Sequence, residues 1–310
     1  MKELSEITVV MTAYNGRAYI EEQIESILKG DFSDFSIHVY DDGSTDGTRE
    51  LLGELSKKYP DKLVFFPNPE NKGVIRNFME GACAAKSPYI MFADQDDVWV
   101  ADKLSKTLQI MKEREKAVGK DKPIAVFADA KVVNEKLEEI APSFHGNSHL
   151  DTSKVDFSHL LMENKLIGCT MMINQAMQKK LFVIPKKIRM HDWWIGLIGA
   201  AMGEIAYLPE PMLLYRQHEK NVVGSKTFGS YIKARVSALD KQKLALLQTE
   251  EQAEAFLSVF GDELSLEKKE IAEAFVAMKT AGFFKKRRLL FKYGFWKTGL
   301  VRNIGVFLLI

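Results

Sequence analysis

The densest chemistry in this 310-residue chain is the run FADQDDVW, residues 92–99. It follows a strand-like segment, Tyr89 to Ala93, and sets Asp94, Asp96 and Asp97 within four positions. Three ionised carboxylates repel one another unless a cation or donor groups draw them together. Mg²⁺ and Mn²⁺ are cations of that kind, held by one or two carboxylates together with the phosphates of a substrate. A solvated turn is the alternative account of the same residues. DDGSTDGT, residues 41–48, places a second carboxylate pair after another strand-like segment, Phe35–Tyr40. An Asx turn leading into a helix N-cap explains that pair structurally. Alternatively, a strand-end acid of this pair, beside Asn15 and Tyr14, hydrogen-bonds a nucleobase or ribose, as acids do in other nucleotide-binding sheets. NKGVIRNF, residues 71–78, adds Lys72 and Arg76 close to a helix start, where anions are favoured. The sequence contains neither a P-loop nor a strand-linked dinucleotide-binding glycine motif.

The elements that would position these residues alternate regularly. Strand-like Ile7–Met11 ends at TAYNG, and residues 17–29 space Ile20, Ile24, Ile27 and Leu28 as in a helix. Phe35–Tyr40 is followed by a helix over Thr48–Tyr59, Leu63–Phe66 by one over Val74–Ala85, and Tyr89–Ala93 by one running through Met111. Ile124–Asp129 is a fifth strand. This rhythm predicts an α/β fold with a mostly parallel sheet covered on both faces. Ligands bind such sheets at the carboxyl ends of the strands, and TAYN, DDGS, NPEN and DQDD all fall there. Beyond residue 141 the pattern is less regular. APSFHGNSH reads as a mobile loop, LIGCTMMINQAM as a strand feeding a helix, and HDWWIGLIGAAMG as a buried helix starting near His191. EIAYLPEPMLLYRQH reads as two short extended pieces turned by Pro209 and Pro211. After Gly224 the pattern is helical, which divides the chain into an α/β domain over 1–224 and a helical C-terminal region over 225–310.

Composition supports a folded protein: 46% of residues are hydrophobic and 27% charged. The formal net charge of +1 hides an asymmetry. Residues 274–310 hold eight basic residues and no acid, which leaves −7 on residues 1–273. The tail FFKKRRLLFKYGFWKTGLVRNIGVFLLI, residues 283–310, interleaves cations with large apolar residues, as in helices that lie in a membrane interface. A helix packed on its own domain or on a partner chain is the alternative. An acidic remainder and the lack of any nucleic-acid module argue against nucleic acid as a partner. Cys83 and Cys169 lack metal-ligand spacing and fit buried thiols in a reducing compartment. No signal core and no 18-residue apolar run is present. The expectation is a cytoplasmic protein without a spanning helix, peripheral at the inner face of the cell membrane.

TAYN, DDGSTDGT, N-x-G and a strand ending in D-x-D-D-x-W, in that order, resemble the nucleotide-sugar glycosyltransferases of family 2, which have the GT-A fold. The resemblance covers about residues 5–220. Within the family, NKGVIRNF, FADQDDVW, HDWW and YRQHEKNVVG are most similar to bacterial rhamnosyltransferases that build cell-wall, capsule or O-antigen polysaccharide. The resemblance assigns Thr12, Tyr14 and Asp42 to the base of the donor nucleotide, with Asn15 and Arg76 nearby. Asp94 falls near the ribose, and Asp96 falls on the Mn²⁺ or Mg²⁺ that bridges the diphosphate. His218 falls where related enzymes place a group near that metal. Asp192 of HDWW takes the position of the family's general base, and Trp193 and Trp194 are candidates for the acceptor side. The processive Q-x-x-R-W signature is absent, the nearest stretch being YRQHEKN, so transfer of one or a few sugars is implied. The implied reaction moves L-rhamnose, with inversion, from dTDP-β-L-rhamnose to a lipid-linked or oligosaccharide acceptor. A UDP-hexose or UDP-N-acetylhexosamine transferase is the enzymatic alternative, and a non-catalytic GT-A-like binding or scaffold module the alternative of another class. A homo-oligomer is compatible with the sequence.

Overall fold

A computed structural model describes residues 4–218 and 239–310 of the chain. The last six residues of YRQHEKNVVG, and the segment 225–238 expected to be helical, lie outside the described residues. The chain divides into two compact units. The first comprises Met1–Phe144, Ile167–Ile184 and Glu204–Gly224; the second comprises His145–Leu166, Pro185–Gly203 and Ser225–Ile310. Segments 145–166 and 185–203 thus fall in the same unit as the C-terminal helices.

The first unit is built on a nine-stranded mixed sheet. Its strands are β1 (Ile7–Ala13), β2 (Phe35–Asp41), β3 (Leu63–Pro67), β4 (Tyr89–Ala93), β5 (Val98–Trp99), β6 (Ile124–Val133), β7 (Glu139–Ala141), β8 (Met172–Asn174) and β9 (Glu204–Arg216). They lie in the order β3-β2-β1-β4-β8-β6-β9-β5, with β7 paired to β6. The four N-terminal strands are parallel, β8 runs antiparallel to both β4 and β6, and β9 is parallel to β6. All seven residues of β1 are buried, as a strand covered on both faces requires. Ile7, Val9 and Met11 point to one side, against α1 (Ile20–Leu28), α2 (Thr48–Lys58) and α4 (Lys103–Val118). Phe92 and Val10 point to the other, where α3 (Val74–Ala84) packs Phe78 edge-on against Phe92 at 5.8 Å. Gly81 lets that helix approach: a Cβ there would lie 2.8 Å from Val10 Cγ1 and 2.9 Å from the Tyr40 ring.

Two expectations are corrected. Glu204–Arg216 is one strand rather than two pieces turned by prolines. Pro209 and Pro211 fall where the register with β6 slips between Ala128 and Asp129, a bulge at which the ladder does not need their missing N–H groups. The segment expected as a mobile loop contains a helical turn, α5 (Phe144–Asn147), and its His145 is buried with Nε2 2.9 Å from the Lys165 carbonyl.

The second unit is helical. After α6 (Phe157–Met162), and α7 (Gln175–Lys179) of the first unit, comes α8 (His191–Met202). Every residue of α8 from His191 to Gly199 is buried, the mark of a helix interior on all sides. The unit also contains α9 (Leu239–Phe260), α10 (Leu266–Ala277), α11 (Phe283–Tyr293) and α12 (Leu300–Leu309). Trp194 is fully buried, its ring 5.4 Å from Phe256 and 5.9 Å from Phe260. Among the described residues no helix is long and apolar enough to cross a membrane.

Candidate active site

In the first unit, hydrogen bonds stitch together the loops that leave the carboxyl ends of β1 to β4. Asn15, in the left-handed conformation (φ 50°) that asparagine tolerates, donates its backbone N–H to Ser44 Oγ at 2.8 Å. Its Oδ1 accepts from the Thr45 N–H at 2.9 Å, so the β1 and β2 loops are tied on both sides of one residue. Asp42 ties β2 to the loop after β3. Its Oδ1 accepts from the Lys72 N–H (2.8 Å) and Asn68 Nδ2 (3.1 Å), and its Oδ2 from the Gly73 N–H (2.8 Å). Gly73, at φ 82°, adopts a conformation open to glycine, and so turns its N–H toward that carboxylate at the start of α3. Asp41, fully buried, accepts from the Gly43 and Ser44 N–H groups and from Arg49 Nε at 2.6 Å. The second carboxylate pair therefore has a structural task, which leaves room for a ligand contact because each ionised carboxylate has about four lone-pair sites.

Gln95, inside the acidic run, joins β4 to β1: Tyr14 N–H donates to Gln95 Oε1 at 2.8 Å, and Gln95 Nε2 donates to the Tyr14 carbonyl at 3.1 Å. Gly16 is the residue that lets this amide lie flat, since a Cβ there would be 2.1 Å from Oε1. Tyr14 itself is 51% exposed and Thr12 is buried at the end of β1. Arg76 is exposed and pairs with Glu80 at 2.6 Å, and Lys72 reaches the other Glu80 oxygen at 2.7 Å.

The three acids of DQDD do not share one environment. Asp94 and Asp96 are partly accessible and Asp97 is fully buried. Burial, and then the charges of Asp96 and Asp94, push the Asp97 carboxyl well above the usual carboxylate range. The three adjacent carboxylates are thus separated in environment, with Asp97 turned inward and its ionised form disfavoured. Below it lies Lys103, also fully buried, whose ammonium donates to the Cys169 carbonyl at 2.6 Å and sits 3.5 Å from the Trp99 ring centroid. Burial brings the Lys103 pKa down to about 7 and raises that of the Cys169 thiol.

Asp96 meets His218, which follows the end of β9: Oδ2 and Nε2 are 2.8 Å apart. His218 stacks on Tyr19 at 5.0 Å, and Arg216 braces the assembly. The Arg216 guanidinium donates to the Asp96 and Glu135 carbonyls at 2.8 and 2.7 Å, pairs with Glu22 and lies 4.9 Å from the Tyr19 ring centroid. The structure therefore brings Asp94, Asp96 and His218 together with the β1–β3 loops. The Asp96–His218 pair, partly accessible and offering a carboxylate oxygen beside a nitrogen, fits a hard divalent ion that takes further ligands from substrate and water. Asp94, Asp97 and Cys169 also place donor atoms within 4.8 Å of one another. Two of those three are buried, with the ionised form disfavoured, and a thiol is a soft ligand, so this second cluster suits Mg²⁺ or Mn²⁺ less well.

Asp192 belongs to the second unit and sits in the first turn of α8, 6% exposed. Its Oδ1 accepts from Asn164 Nδ2 (3.1 Å) and from the Trp193 N–H (2.6 Å). Trp193 donates Nε1–H to the Leu160 carbonyl at 2.6 Å and carries the Arg189 guanidinium 5.0 Å from its ring centroid. Arg189 is bonded in turn to Gln252 and Thr249 of α9. Trp194 is a core residue rather than a sugar-facing surface, and burial lowers the His191 pKa to about 3, leaving a neutral imidazole. Gln95, Lys103 and Arg216 were not singled out from the sequence, and Cys169 was expected only as a buried thiol. Gln95 and Arg216 stand inside the quoted motifs, where an amide between two acids and an arginine two residues before His218 were the available signals.

The family model "Glycosyl transferase family 2" matches residues 8–173. The dTDP-rhamnosyl transferase RfbG of Shigella flexneri is 31% identical over 231 residues, 69% of this chain and 74% of that protein. The teichuronic acid biosynthesis glycosyltransferase TuaG of Bacillus subtilis, itself described as putative, is 34% identical over 108 residues, 35% of this chain and 42% of that protein. Among solved structures, TarS of S. aureus with UDP-GlcNAc matches 91% of this chain and 83% of its own, with a TM-score of 0.56 at 16% identity. The mannosyltransferase PcManGT of Pyrobaculum calidifontis, with GDP-Man and Mn²⁺, matches 98% of this chain and 88% of its own, with a TM-score of 0.54 at 15% identity. The fold is that of the GT-A glycosyltransferases, and the chain belongs to glycosyltransferase family 2.

Proposed function

We propose that the protein transfers L-rhamnose, with inversion, from dTDP-β-L-rhamnose to a lipid-linked or oligosaccharide acceptor during assembly of a cell-surface polysaccharide. The observation that carries the donor assignment is the 31% identity, over 69% of the chain, to a dTDP-rhamnosyl transferase. Thr12, Tyr14 and Asp42 hold the base, Asn15 and Arg76 lie near it, and Asp94 meets the ribose. Asp96 and His218 would hold Mn²⁺ or Mg²⁺, which would supply positive charge against that of the departing diphosphate. Asp192 takes the proton of the acceptor hydroxyl as that oxygen bonds to the anomeric carbon from the side opposite the leaving group, which gives inversion. Trp193 is the indole we keep on the acceptor side. Residues 1–224 form the catalytic region and 225–310 an accessory region.

A calorimetric titration of the purified protein with dTDP, UDP and GDP, with and without Mn²⁺ or Mg²⁺, tests this reading. Tighter binding of dTDP than of the other two, and only with the metal, is the expected outcome. Preference for UDP would keep the transferase and replace the sugar. Failure of the folded protein to bind any of the three would favour a non-catalytic binding module.

A further inference from the structure

The last two helices present an outer face that nothing else in the transferase account uses. On α11, Phe284 is 85% and Phe291 64% exposed, and on α12 Leu300, Ile304 and Leu308 are 76%, 51% and 73% exposed. At about 100° per residue, Phe284, Arg288 and Phe291 fall on one stripe of α11, and Leu300, Ile304, Phe307 and Leu308 on one stripe of α12. The stripes adjoin, because the Phe291 and Phe307 rings meet with centroids 6.4 Å apart. The inner faces are anchored. Leu290 and Val306 are buried, and Arg302 donates to the His149 and Ser148 carbonyls at 2.7 and 2.6 Å. Arg287 of α11 donates to the Phe307 and Ile310 carbonyls at 2.7 and 3.0 Å, which caps the end of α12 and fixes the two helices side by side. The outward direction of the apolar stripes is therefore set by the fold.

Exposed cations border the rings on α11: Lys285 flanks the stripe and Arg288 stands within it, while Lys292 pairs with Glu270 of α10 at 3.1 Å. No acid occurs from residue 274 to the end of the chain. Large apolar side chains ringed by long cations match a lipid surface, where the rings enter the acyl boundary and the stems reach out to anionic headgroups. A second copy of the chain matches less well, because a two-fold contact through this face would set the same cations against one another. We propose that α11 and α12 together seat the protein on an anionic bilayer surface, a property that stands or falls separately from the sugar-transfer reading.

The test is cosedimentation of the full chain with vesicles of phosphatidylcholine alone and of phosphatidylcholine mixed with phosphatidylglycerol. The full chain is expected to bind the mixed vesicles at least about tenfold more tightly than the neutral ones, and added salt should weaken that binding. Ile304→Ser/Leu308→Ser removes apolar surface and Lys285→Glu/Arg288→Glu reverses charge, all at exposed positions. Each variant should keep the wild-type thermal midpoint and lose about tenfold or more in vesicle binding. The proposal is overturned if the wild-type chain stays in the supernatant, or if both variants bind as it does. It is also overturned if the wild-type chain is a dimer that the serine variant converts to monomer, which would make this face a contact between copies.

Discussion

Replacing Asp192 with Asn is expected to slow sugar transfer by about 10³-fold while leaving the affinity for dTDP unchanged. The amide has the shape of the carboxylate, and its carbonyl oxygen can still accept from Asn164 Nδ2 and the Trp193 N–H, so α8 keeps its first turn. What is lost is the capacity to take a proton. If Asp192 is the base that deprotonates the acceptor, the loss falls on transfer alone. Donor turnover with a synthetic polyprenyl-diphosphate glycan, measured beside a dTDP titration, separates the two quantities. A variant that transfers within a few-fold of wild type would show that the base is another group.

Asp96→Ala is expected to have an effect of similar size through a different step. Removing this carboxylate takes away the oxygen ligand proposed for the metal and the partner of His218. Transfer should fall by about 10³-fold, and here the metal-dependent part of dTDP binding should disappear with it. Asp97→Asn provides the contrast. The Asp97 carboxyl is fully buried and pushed well above the usual carboxylate range, and an amide keeps its shape without a charge. A loss of about tenfold or less is therefore expected, although Asp96 and Asp97 are adjacent. Equal losses from the two variants, or dTDP binding by Asp96→Ala that still responds to Mn²⁺, would count against assigning the metal to Asp96.

The contrast between Asp96 and Asp97 also marks how far the sequence could be read. The alternation of strands and helices through Ile124 was legible because each strand is short, apolar and closed by a polar turn, and the four parallel strands with their intervening helices follow it. The convergence of TAYN, DDGS, NPEN and DQDD was legible for the same topological reason, and hydrogen bonds now join those loops residue to residue. Which of three neighbouring acids turns inward was not, since a loop has no fixed side-chain period to read. Lys103 was overlooked because a lysine at a helix start ordinarily points to water, whereas here a carbonyl and an indole receive it in the interior. The double role of Pro209 and Pro211 in a continuous strand was hidden because proline signals a turn unless a bulge absorbs it. HDWW did announce a buried helix at His191, but periodicity within one segment cannot say which unit encloses it.

The most direct test of the central claim is a crystal of the protein grown with dTDP and Mn²⁺, with the metal located by its anomalous scattering. The account predicts one peak bonded to Asp96 and to the dTDP diphosphate, with His218 beside it. A peak at Asp94, Asp97 and Cys169 instead, or bound dTDP with no metal at its diphosphate, would contradict it.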